Sequence, residues 1–340
     1  MATRNANGRV HTVAIGASAG GIEALRGVIA ELPTSFPAAV LVVLHLPPKG
    51  TSVLPQILAR AGALPALTAE DGVAIEGGCV YVAPPDCHLL VEAGHLRLDH
   101  GSRTNGHRPA IDPLFRSVAQ EFGPASAGVV LSGVLDDGTA GLMAIKQAGG
   151  VTLAQDPREA LYDMMPRTAI EVVSPDHVGT AEQLGKLLVE IAADVPPDPP
   201  AALHAVREEH LVEVDRGSSD APQPGHVTGL TCPECNGAIW LDESGAVPRF
   251  ACRTGHDYSP QSFDAAQTDR VEAALWTALR TLEERAALYR RMAAKLRESG
   301  NARTSERFAI RAESAVQHAF VLREVIEQFG GELATEEGVA

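Results

Sequence analysis

The chain has few of the features that mark secreted, membrane-spanning or nucleic-acid-binding proteins. Its longest apolar stretch, residues 38–46, contains one histidine and is too short to span a bilayer. The N-terminus lacks a positively charged and then apolar secretion signal, so we expect a cytoplasmic protein that does not insert into membranes. Lysine and arginine total 28 against 43 aspartate and glutamate residues, and the resulting net charge of −15 argues against nucleic acid as a partner.

Cysteine is also scarce, and five cysteines in 340 residues do not suggest a disulfide framework. Cys79 and Cys87 are isolated from the others in the sequence, so both are expected to be reduced thiols. The chain is long enough to contain one sizeable α/β core with smaller modules beside it.

The remaining three cysteines have the spacing of metal ligands. Cys232 and Cys235 form a C-x2-C knuckle, and Cys252 and His256 follow after sixteen intervening residues as a looser C-x3-H knuckle. Apolar segments between the knuckles predict a hairpin that brings them together. Three thiolates and one imidazole would hold a structural zinc ion in a closed tetrahedral site. His226 is an alternative ligand, and reduced thiols without metal are the alternative to a zinc ribbon.

Three short apolar runs in the first half of the chain each lead to a reactive side chain. The runs and the side chains are 13–16 with Ser18, 40–44 with His45, and 129–131 with Asp136 and Asp137. The carboxyl ends of parallel strands lie along one edge of an open sheet, where ligand crevices form in doubly wound folds. Serine, histidine and aspartate would converge there as one nucleophilic set, in which histidine activates serine and aspartate orients histidine.

The turn that carries Ser18 has the sequence Gly-Ala-Ser-Ala-Gly-Gly, from Gly16 to Gly21. Such a strand-to-helix turn exposes the hydroxyl and directs backbone N–H groups toward the atom that it attacks. The alternative is a phosphate-binding turn of a nucleotide-binding α/β enzyme, but serine stands where a dinucleotide fingerprint has glycine. Taken singly, His45 fits a structural hydrogen bonder, and Asp137 fits a turn or a helix N-cap. Three such coincidences at strand ends favour a catalytic site.

These residues resemble the catalytic domain of CheB, the protein-glutamate methylesterase of bacterial chemotaxis receptors. The resemblance extends roughly from Val10 to Val189 and rests on six stretches that follow one another in the family's order. The stretches are 15–21, 44–48, 81–89, 108–115, 131–142 and 165–167. Each is weak alone, and together they indicate the family.

The resemblance implies a role for each residue at a strand end. Ser18 matches the family's nucleophile, His45 its general base and Asp137 its orienting aspartate. Backbone N–H groups of Val134 and Ala19 would form the oxyanion hole. The family commonly has methionine at the first of these two positions and often threonine at the second. The change at Val134 matters little, because its backbone group is the one that acts.

Further residues match segments that border the family's substrate cleft, namely Arg108, Asp112 and Met165. The alternative for these three residues is ordinary packing and capping. Leu44 replaces a glutamine that the family often has before its histidine, and this change could alter how the imidazole is held.

The activity that the resemblance implies is hydrolysis of glutamate methyl esters through an acyl-enzyme, with release of methanol and no cofactor for catalysis. Deamidation of glutamine side chains ranks second, because an amide is a harder substrate. The implied partner is a methylated, chemoreceptor-like coiled-coil protein. The first catalytic strand begins near residue 10, which leaves no room for a receiver domain before it. We therefore expect control by a separate receiver or other regulatory protein, or by the C-terminal half. The alternative is a noncatalytic adaptor that binds partners through that half.

The sequence predicts four segments: a methylesterase-like catalytic domain over 10–193, a proline-rich linker over 194–225, a zinc-ribbon-like module over 226–262 and a helical hairpin over 264–330. Apolar strands alternate with helical segments in the first of these. This alternation predicts an α/β fold with a mainly parallel, doubly wound sheet sandwiched by helices. Residues 89–92 and 94–100 are expected to form an antiparallel hairpin beside the sheet.

Two helical patterns after the ribbon predict an antiparallel helical hairpin. Their apolar positions are Leu275, Ala278, Leu282, Tyr289, Met292 and Leu296 in the first helix, and Phe308, Ala312, Ala315, Ala319, Leu322, Ile326 and Phe329 in the second. Residues 299–301 would join the helices, and Gly330 and Gly331 would end the second one. The alternatives are a pair packed on itself or on the ribbon, and a docking arm for a helical receptor or for a second copy of the chain in a homo-oligomer.

Overall fold

The computed structural model describes residues 11–50, 52–192, 225–245 and 247–336, without the side chains of 329–336. The predicted linker lies outside these ranges except for Gly225. The chain divides into two compact units, Met1–Phe263 and Asp264–Ala340. No helix in the described ranges is long and apolar enough to cross a membrane.

The first unit is built on a parallel sheet. The strands up to residue 192 are β1 (Thr12–Ala17), β2 (Ala39–Leu44), β3 (Ala66–Thr68), β4 (Val80–Val82), β5 (His88–Glu92), β6 (His95–Asp99), β7 (Ser126–Val130), β8 (Val151–Gln155) and β9 (His177–Gly179). Seven of them form one sheet in the order β3-β4-β2-β1-β7-β8-β9, and every neighbouring pair is parallel. Both faces of β1 and β2 are buried, as expected for a sheet covered on two sides.

Six helices cover the two faces of this sheet. They are α1 (Gly21–Ala30), α2 (Leu54–Ala61), α3 (Ile111–Phe122), α4 (Thr139–Gln147), α5 (Met164–Val173) and α6 (Ala181–Ala192). The cluster under α1, α2 and α6 contains Ile15 of β1 together with Leu25 and Leu184. The cluster on the opposite face contains Ala14 of β1 together with Phe115. Successive residues of one strand thus pack into two different hydrophobic cores, one on each face of the sheet. The predicted doubly wound α/β sandwich is confirmed.

The order of the strands explains where a site can form. β1 lies between β2 and β7, so the chain leaves β1 toward one side of the sheet and returns on its other side. At such a switch point the loops after neighbouring strands part and leave a crevice at the carboxyl edge. Ser18 follows β1, His45 follows β2, and Asp137 lies in the loop after β7. The three residues therefore come from three adjacent strands.

The strands β5 and β6 form the predicted antiparallel hairpin, separate from the parallel sheet. Glu92 pairs with His95, and the two residues between them, Ala93 and Gly94, have φ values of 50° and 74°. Two consecutive residues with positive φ make the kind of tight turn whose twist suits a two-residue hairpin.

A second, antiparallel sheet lies in the same compact unit. Its strands, in the order in which they pair, are β10 (His226–Thr231), β11 (Ala238–Asp242), β12 (Arg249–Cys252) and β13 (Asp257–Tyr258). The predicted hairpin between the cysteine knuckles is present as β11 and β12, with Asp242 opposite Arg249. We call residues 225–263 the ribbon module. It packs on the α/β sandwich, for example through a hydrogen bond of 2.6 Å from Oγ of Ser102 to the carbonyl of Thr254.

The second unit is a pair of long helices. These are α7 (Pro260–Glu298), whose first residues belong to the first unit, and α8 (Ala302–Glu336). They pack antiparallel, since Oγ of Ser305 donates to the carbonyl of Ala293 and Leu279 shares a buried cluster with Ile326. The turn at 299–301 is where the sequence predicts it. Binding of a receptor or of a second copy by this pair stays a prediction.

Two details of the helical prediction are wrong, the buried seam of α7 and the end of α8. Ala278 and Met292 are exposed, and the residues that follow them, Leu279 and Ala293, are buried instead, because the buried stripe takes its steps of three and four residues in a different order. α7 begins at Pro260, since proline is well suited to the first turn of a helix. α8 continues past Gly330 and Gly331 to Glu336, because glycine lowers helix propensity by only about 1 kcal/mol per residue and does not block the backbone hydrogen bond.

Candidate active site

Ser18 stands in a tight turn between β1 and α1. Its backbone N–H donates to the carbonyl of Ser132 at 2.9 Å, and its own carbonyl accepts from the N–H of Gly21 at 2.9 Å. Gly20 has a φ of 69°, and a Cβ at this position would lie 2.8 Å from atoms of both Leu161 and Ser132. The turn therefore requires glycine here, because both the backbone conformation and the available space exclude a side chain.

His45 connects Ser18 to Asp137 through its two ring nitrogens. Nδ1 lies 3.0 Å from Oγ of Ser18, and Nε2 lies 2.8 Å from Oδ2 of Asp137. A carboxylate only accepts hydrogen bonds, so Nε2 carries the ring proton and Nδ1 accepts from the serine hydroxyl. The structure thus brings together the three residues that the strand ends predict.

Asp137 is held from several sides and is only 2% exposed. It accepts from the backbone N–H groups of Ile111 at 2.6 Å and Asp112 at 3.3 Å, and from Nδ2 of Asn105 at 2.8 Å. Burial alone would raise its pKa. The hydrogen bond and charge of His45, with the N–H of Ile111, outweigh burial and hold the pKa of Asp137 well below its ordinary value. Asp137 is therefore ionised at neutral pH.

A second histidine, His107, lies flat against His45. The ring centroids are 3.7 Å apart and the ring planes differ by 12°. Burial, and then the charge of His45, lower the pKa of His107 to about 4. Its ring is therefore neutral at neutral pH and restricts the orientation of His45 without adding a charge. The sequence reasoning missed His107, although it immediately precedes the matching stretch 108–115.

The backbone after β7 passes directly beside Ser18. A Cβ on Gly133 would lie 2.9 Å from Cβ of Ser18 and 2.0 Å from the sulfur of Met165. Among the residues that the structure describes, the backbone N–H groups of Ala19 and Val134 donate no hydrogen bond. Ala19 follows Ser18 in the sequence, and Val134 follows Gly133, which lies beside Ser18 in space. Both predicted oxyanion donors are therefore available to an anion. Their role stays a prediction.

Arg108, which the sequence places on the substrate side, does line the cleft. Its guanidinium is already engaged, since Nε and Nη2 donate to Oδ1 of Asp86 at 3.0 and 2.6 Å. Nη1 donates to the carbonyl of His100 at 2.9 Å. Arg108 thus shapes the wall of the cleft with little hydrogen-bonding capacity left for a ligand.

The other two residues predicted on the substrate side are buried. Asp112 is 1% exposed, and its Oδ1 accepts from the N–H groups of Gly138 at 3.1 Å and Gly141 at 2.7 Å. It lies beneath Asp137 and ties α3 to α4, so its position corrects the expectation that it borders the cleft. Met165 is fully buried and supports the Gly133 backbone beside the serine.

The cleft beside the three aligned residues has a volume of about 320 Å³. Its lining consists of His45, Leu46, Pro47, Pro48, Arg103, Gly106, His107 and Arg108. Apolar side chains are exposed on the segments near Ser18. These are Val134 at 38%, Leu161 at 75%, Tyr162 at 46% and Met164 at 38% exposure. The site is therefore an open cleft with an apolar rim.

The two neighbouring aspartates face different parts of the protein. Asp137 faces His45, whereas Oδ1 of Asp136 accepts from the hydroxyls of Ser259 at 2.7 Å and Ser262 at 2.9 Å. Both serines belong to the ribbon module. Asp136 is 6% exposed, and burial raises its pKa although the serine hydroxyls act to lower it. No pattern in the sequence reveals this contact, because 123 positions separate Asp136 from Ser259.

The predicted metal ligands also come together. One ligand atom from each of Cys232, Cys235, Cys252 and His256 lies within 4.8 Å of the others. His226, the alternative ligand, lies in β10, where it pairs with Leu241 of β11, and it is outside this group.

A serine hydroxyl, an imidazole and a buried carboxylate in one hydrogen-bonded series, at the carboxyl edge of a parallel sheet, define the class of α/β serine hydrolases. The sequence profile of the CheB methylesterase family matches residues 13–188. The chain belongs to the CheB methylesterase family and is accordingly an enzyme that hydrolyses carboxylic esters.

Individual relatives agree with the family. A protein of Leptospira interrogans, provisionally described as a protein-glutamate methylesterase/protein-glutamine glutaminase, is 37% identical over 180 residues, which are 53% of this chain and 93% of that protein. The protein-glutamate methylesterase/protein-glutamine glutaminase of Pectobacterium atrosepticum is 40% identical over 186 residues, which are 53% of each chain. The crystal structure of the CheB methylesterase catalytic domain of Thermotoga maritima aligns with a TM-score of 0.52 and 34% identity, over 54% of this chain and 98% of that one. The family match ends before the ribbon module.

Proposed function

We propose that the protein hydrolyses glutamate 5-O-methyl esters on a chemoreceptor-like signalling protein and releases methanol. The observation that carries the proposal is the alignment of Ser18, His45 and Asp137, with 3.0 Å between the hydroxyl and the imidazole nitrogen that takes its proton and 2.8 Å between the imidazole and the carboxylate that orients it. The name of the Pectobacterium relative, which specifies protein glutamate as the substrate, supports the choice of ester.

In the acylation step, Oγ of Ser18 attacks the ester carbonyl carbon while Nδ1 of His45 takes the hydroxyl proton. The ionised Asp137 stabilises the imidazolium through its hydrogen bond to Nε2. The N–H groups of Ala19 and Val134 donate to the oxyanion, and one such donor typically contributes about 10²–10³ in rate. His45 then protonates the leaving oxygen, so methanol departs and the glutamyl group remains on Ser18.

In the second step, water attacks the acyl-enzyme with His45 again acting as the base. The tetrahedral intermediate collapses, His45 returns the proton to Oγ of Ser18, and the glutamate carboxylate leaves. Neither step of this proposal uses a cofactor.

Deamidation of glutamine would use the same residues and the same acyl-enzyme. The leaving group would be ammonia, and the stronger resonance of an amide makes its carbonyl a poorer target. The second half of the Pectobacterium relative's name, protein-glutamine glutaminase, is consistent with such an activity. We therefore rank ester hydrolysis first and deamidation second.

An open cleft suits a side chain that projects from a helix of a coiled coil. The exposed rim residues Leu161 and Tyr162 offer apolar contact area to the helix on either side of the modified glutamate. Control by a separate receiver or other regulatory protein is part of the same proposal.

The test is methanol release from a methylated chemoreceptor cytoplasmic fragment, with the full chain and with Ser18→Ala. We expect the variant to lose at least about 10³-fold in kcat, because the nucleophile is removed. Ser35→Ala, which changes an exposed serine far from β1's carboxyl end, is the matched control and should behave as wild type.

Two outcomes would contradict the proposal. If wild type and Ser18→Ala release methanol equally, Ser18 is not the nucleophile. If the full chain releases none from a fragment that another methylesterase demethylates, a noncatalytic adaptor or an esterase for a different ester becomes the better account.

A further inference from the structure

The ribbon module gathers four ligand atoms within 4.8 Å of one another, and three distances among them fit one tetrahedral ion. The sulfurs of Cys235 and Cys252 are 3.6 Å apart. Nδ1 of His256 lies 3.6 Å from the sulfur of Cys232 and 3.4 Å from that of Cys252. Bonds of about 2.3 Å from zinc to sulfur and 2.0 Å to nitrogen would separate tetrahedral ligands by roughly 3.5–3.8 Å. A disulfide, with sulfurs about 2.05 Å apart, does not fit these positions.

The groups around the ligands also suit a metal. The second ring nitrogen of His256, Nε2, lies 3.2 Å from a carboxylate oxygen of Glu234. Glu234 in turn accepts from the hydroxyl of Tyr258 at 3.1 Å. Metal-bound histidines almost always donate their other N–H to such an acceptor, which leaves Nδ1 as the ligand atom. The hydroxyl of Thr254 donates to the sulfur of Cys235 at 3.4 Å, as it would to a thiolate.

The segment that follows His256 packs directly on the α/β sandwich. The N–H of Asn105 donates to the carbonyl of Asp257 at 2.7 Å. The N–H of Ser259 donates to Oδ1 of Asn105 at 2.8 Å. A parallel β-bridge also pairs Thr104 with Asp257. His256 immediately precedes Asp257, so a metal bound to His256 would restrain the backbone of the module next to this contact.

Asn105 transmits the contact to Asp137. Because its Oδ1 accepts from Ser259, its Nδ2 faces Asp137 at 2.8 Å and Asp112 at 3.1 Å. An amide rotated by half a turn would direct its oxygen at two carboxylates and lose all three hydrogen bonds. The N–H of Ser259 thus selects the orientation of Asn105 that supports Asp137.

Arg249 is a second connection from the module. Its guanidinium donates to the two carboxylate oxygens of Asp257 at 3.1 and 2.7 Å, and to Asp112 at 3.2 Å. Four aspartates gather here with at most 6% exposure, and they are Asp112, Asp136, Asp137 and Asp257. Buried carboxylates need cations or hydrogen-bond donors. Arg249 brings a positive charge into this group, and the more exposed Arg116 adds another.

We propose that Cys232, Cys235, Cys252 and His256 bind one zinc ion, and that the zinc-bound module positions Asp137 through Asn105 and Arg249. Four protein ligands leave no open coordination position, so the zinc is structural. The proposal has a metal half, which is zinc binding by the four ligands, and a positioning half, which is the effect of the module on Asp137. The positioning half rests on the proposed role of Asp137 in ester hydrolysis, whereas the metal half does not. Asn105 and Arg249 act through Asp137 and are positioning residues.

The metal half is tested on the full chain by elemental analysis after reconstitution with zinc and removal of excess. Wild type and the control Cys79→Ala, which changes a cysteine outside the cluster, should each hold one zinc per chain. The double variant Cys235→Ala/Cys252→Ala should hold none. Reconstitution with cobalt should give the visible spectrum of a tetrahedral thiolate site in the first two proteins. Equal zinc in all three, or none in wild type, would overturn the site.

The positioning half is tested by comparing zinc-loaded protein, chelator-stripped protein and Arg249→Met. On a methylated receptor fragment we expect kcat to fall about tenfold in the last two with KM little changed. Adding zinc back should restore kcat in the stripped protein. Arg249→Lys should have a kcat between those of Arg249→Met and wild type. Arg249→Met should still bind zinc. Arg97→Met, which removes an exposed arginine paired with Glu92, should match wild type.

A readout that needs no substrate separates this inference from the proposed function. The proton between Nε2 of His45 and Asp137 should give a downfield NMR resonance, assigned by its absence in His45→Gln. We expect it to broaden or shift on removal of zinc and in Arg249→Met. An unchanged resonance and an unchanged kcat in stripped protein would overturn the positioning role. If wild type binds zinc and shows the shift but cleaves no glutamate ester, the proposed substrate fails and the present inference stands.

Discussion

The ring of His107 stacks on the ring of His45 at a centroid distance of 3.7 Å. Only the faces of the rings meet, so both nitrogens of His45 stay directed at Ser18 and Asp137. Burial, and then the charge of His45, lower the pKa of His107 to about 4, so a neutral ring supports the base at neutral pH.

This stack links stability to pH. The pKa of His107 is about 6.5 in the unfolded chain and about 4 in the folded protein. Between these two values the unfolded state binds a proton that the folded state does not. The contribution of His107 to the free energy of unfolding is therefore complete above about pH 6.5 and is lost as the pH falls toward 4. From about pH 7 to about pH 5, we expect wild type to lose about 1–2 kcal/mol more unfolding free energy than His107→Phe. Urea unfolding at both pH values measures this, and an identical pH dependence in the two proteins would contradict it.

Replacing Asp137 by asparagine should remove most of the activity. An amide can donate as well as accept, so Nε2 of His45 would no longer be held as the protonated nitrogen and Nδ1 would no longer be held as the base. We expect kcat to fall by about 10⁴-fold. Steady-state methanol release measures the loss, with Asp264→Asn on the exposed surface as the control. A loss of less than tenfold would show that Asp137 does not orient the base.

Gly133→Ala should damage the site through space rather than charge. The new Cβ would meet the sulfur of Met165 at 2.0 Å and Cβ of Ser18 at 2.9 Å, so the loop or the serine must move. We expect kcat to fall at least about tenfold, since small displacements of reacting groups are costly. The second variant Gly133→Ala/Met165→Ala should recover part of this loss by removing the closer clash. Gly245→Ala, whose Cβ would make only an ordinary contact of 3.7 Å, is the control. Full activity in Gly133→Ala would show that the backbone beside Ser18 tolerates displacement.

Leu161→Ser tests the apolar rim. Leu161 is 75% exposed, so the change should leave folding intact while it removes apolar contact with a protein substrate. Losing that contact is worth about 1–2 kcal/mol, which predicts a 5- to 30-fold rise in KM for the receptor fragment with little change in kcat. Leu67→Ser, at 53% exposure in β3, should leave KM unchanged. Equal KM values for Leu161→Ser and wild type would show that the substrate does not lie on this rim.

The sequence was sufficient to predict the parts of the site that depend on strand ends. Ser18 and His45 follow apolar runs directly, and a parallel sheet brings such positions to one edge. Neighbouring aspartates in one turn carry the same local signal, and the family resemblance supports Asp137 as the orienting residue. The structure separates them by their partners, His45 for one and Ser259 for the other.

The parts that the sequence could not predict depend on contacts between distant segments. Asp112 was expected at the cleft, yet it is buried with Arg249, which is 137 positions away. In the helical pair, steps of three and four residues fit Ala278 and Met292 as seam positions, whereas the structure buries Leu279 and Ala293. Both outcomes are decided by shape and charge complementarity, which periodicity in a single sequence does not record.

The contacts of Asp136 and Asp112 also bear on how far this protein can be trimmed. A fragment that stopped at Ala192 would keep the whole parallel sheet and the three aligned residues. It would deprive Asp136 of the hydroxyls of Ser259 and Ser262, and Asp112 of Arg249. Stripping a buried polar group of its partner costs about 1–3 kcal/mol, a large share of the stability of an ordinary domain. We therefore expect the ribbon module to stabilise the segment that the family shares, and a fragment ending at Ala192 to unfold at a lower urea concentration than the full chain.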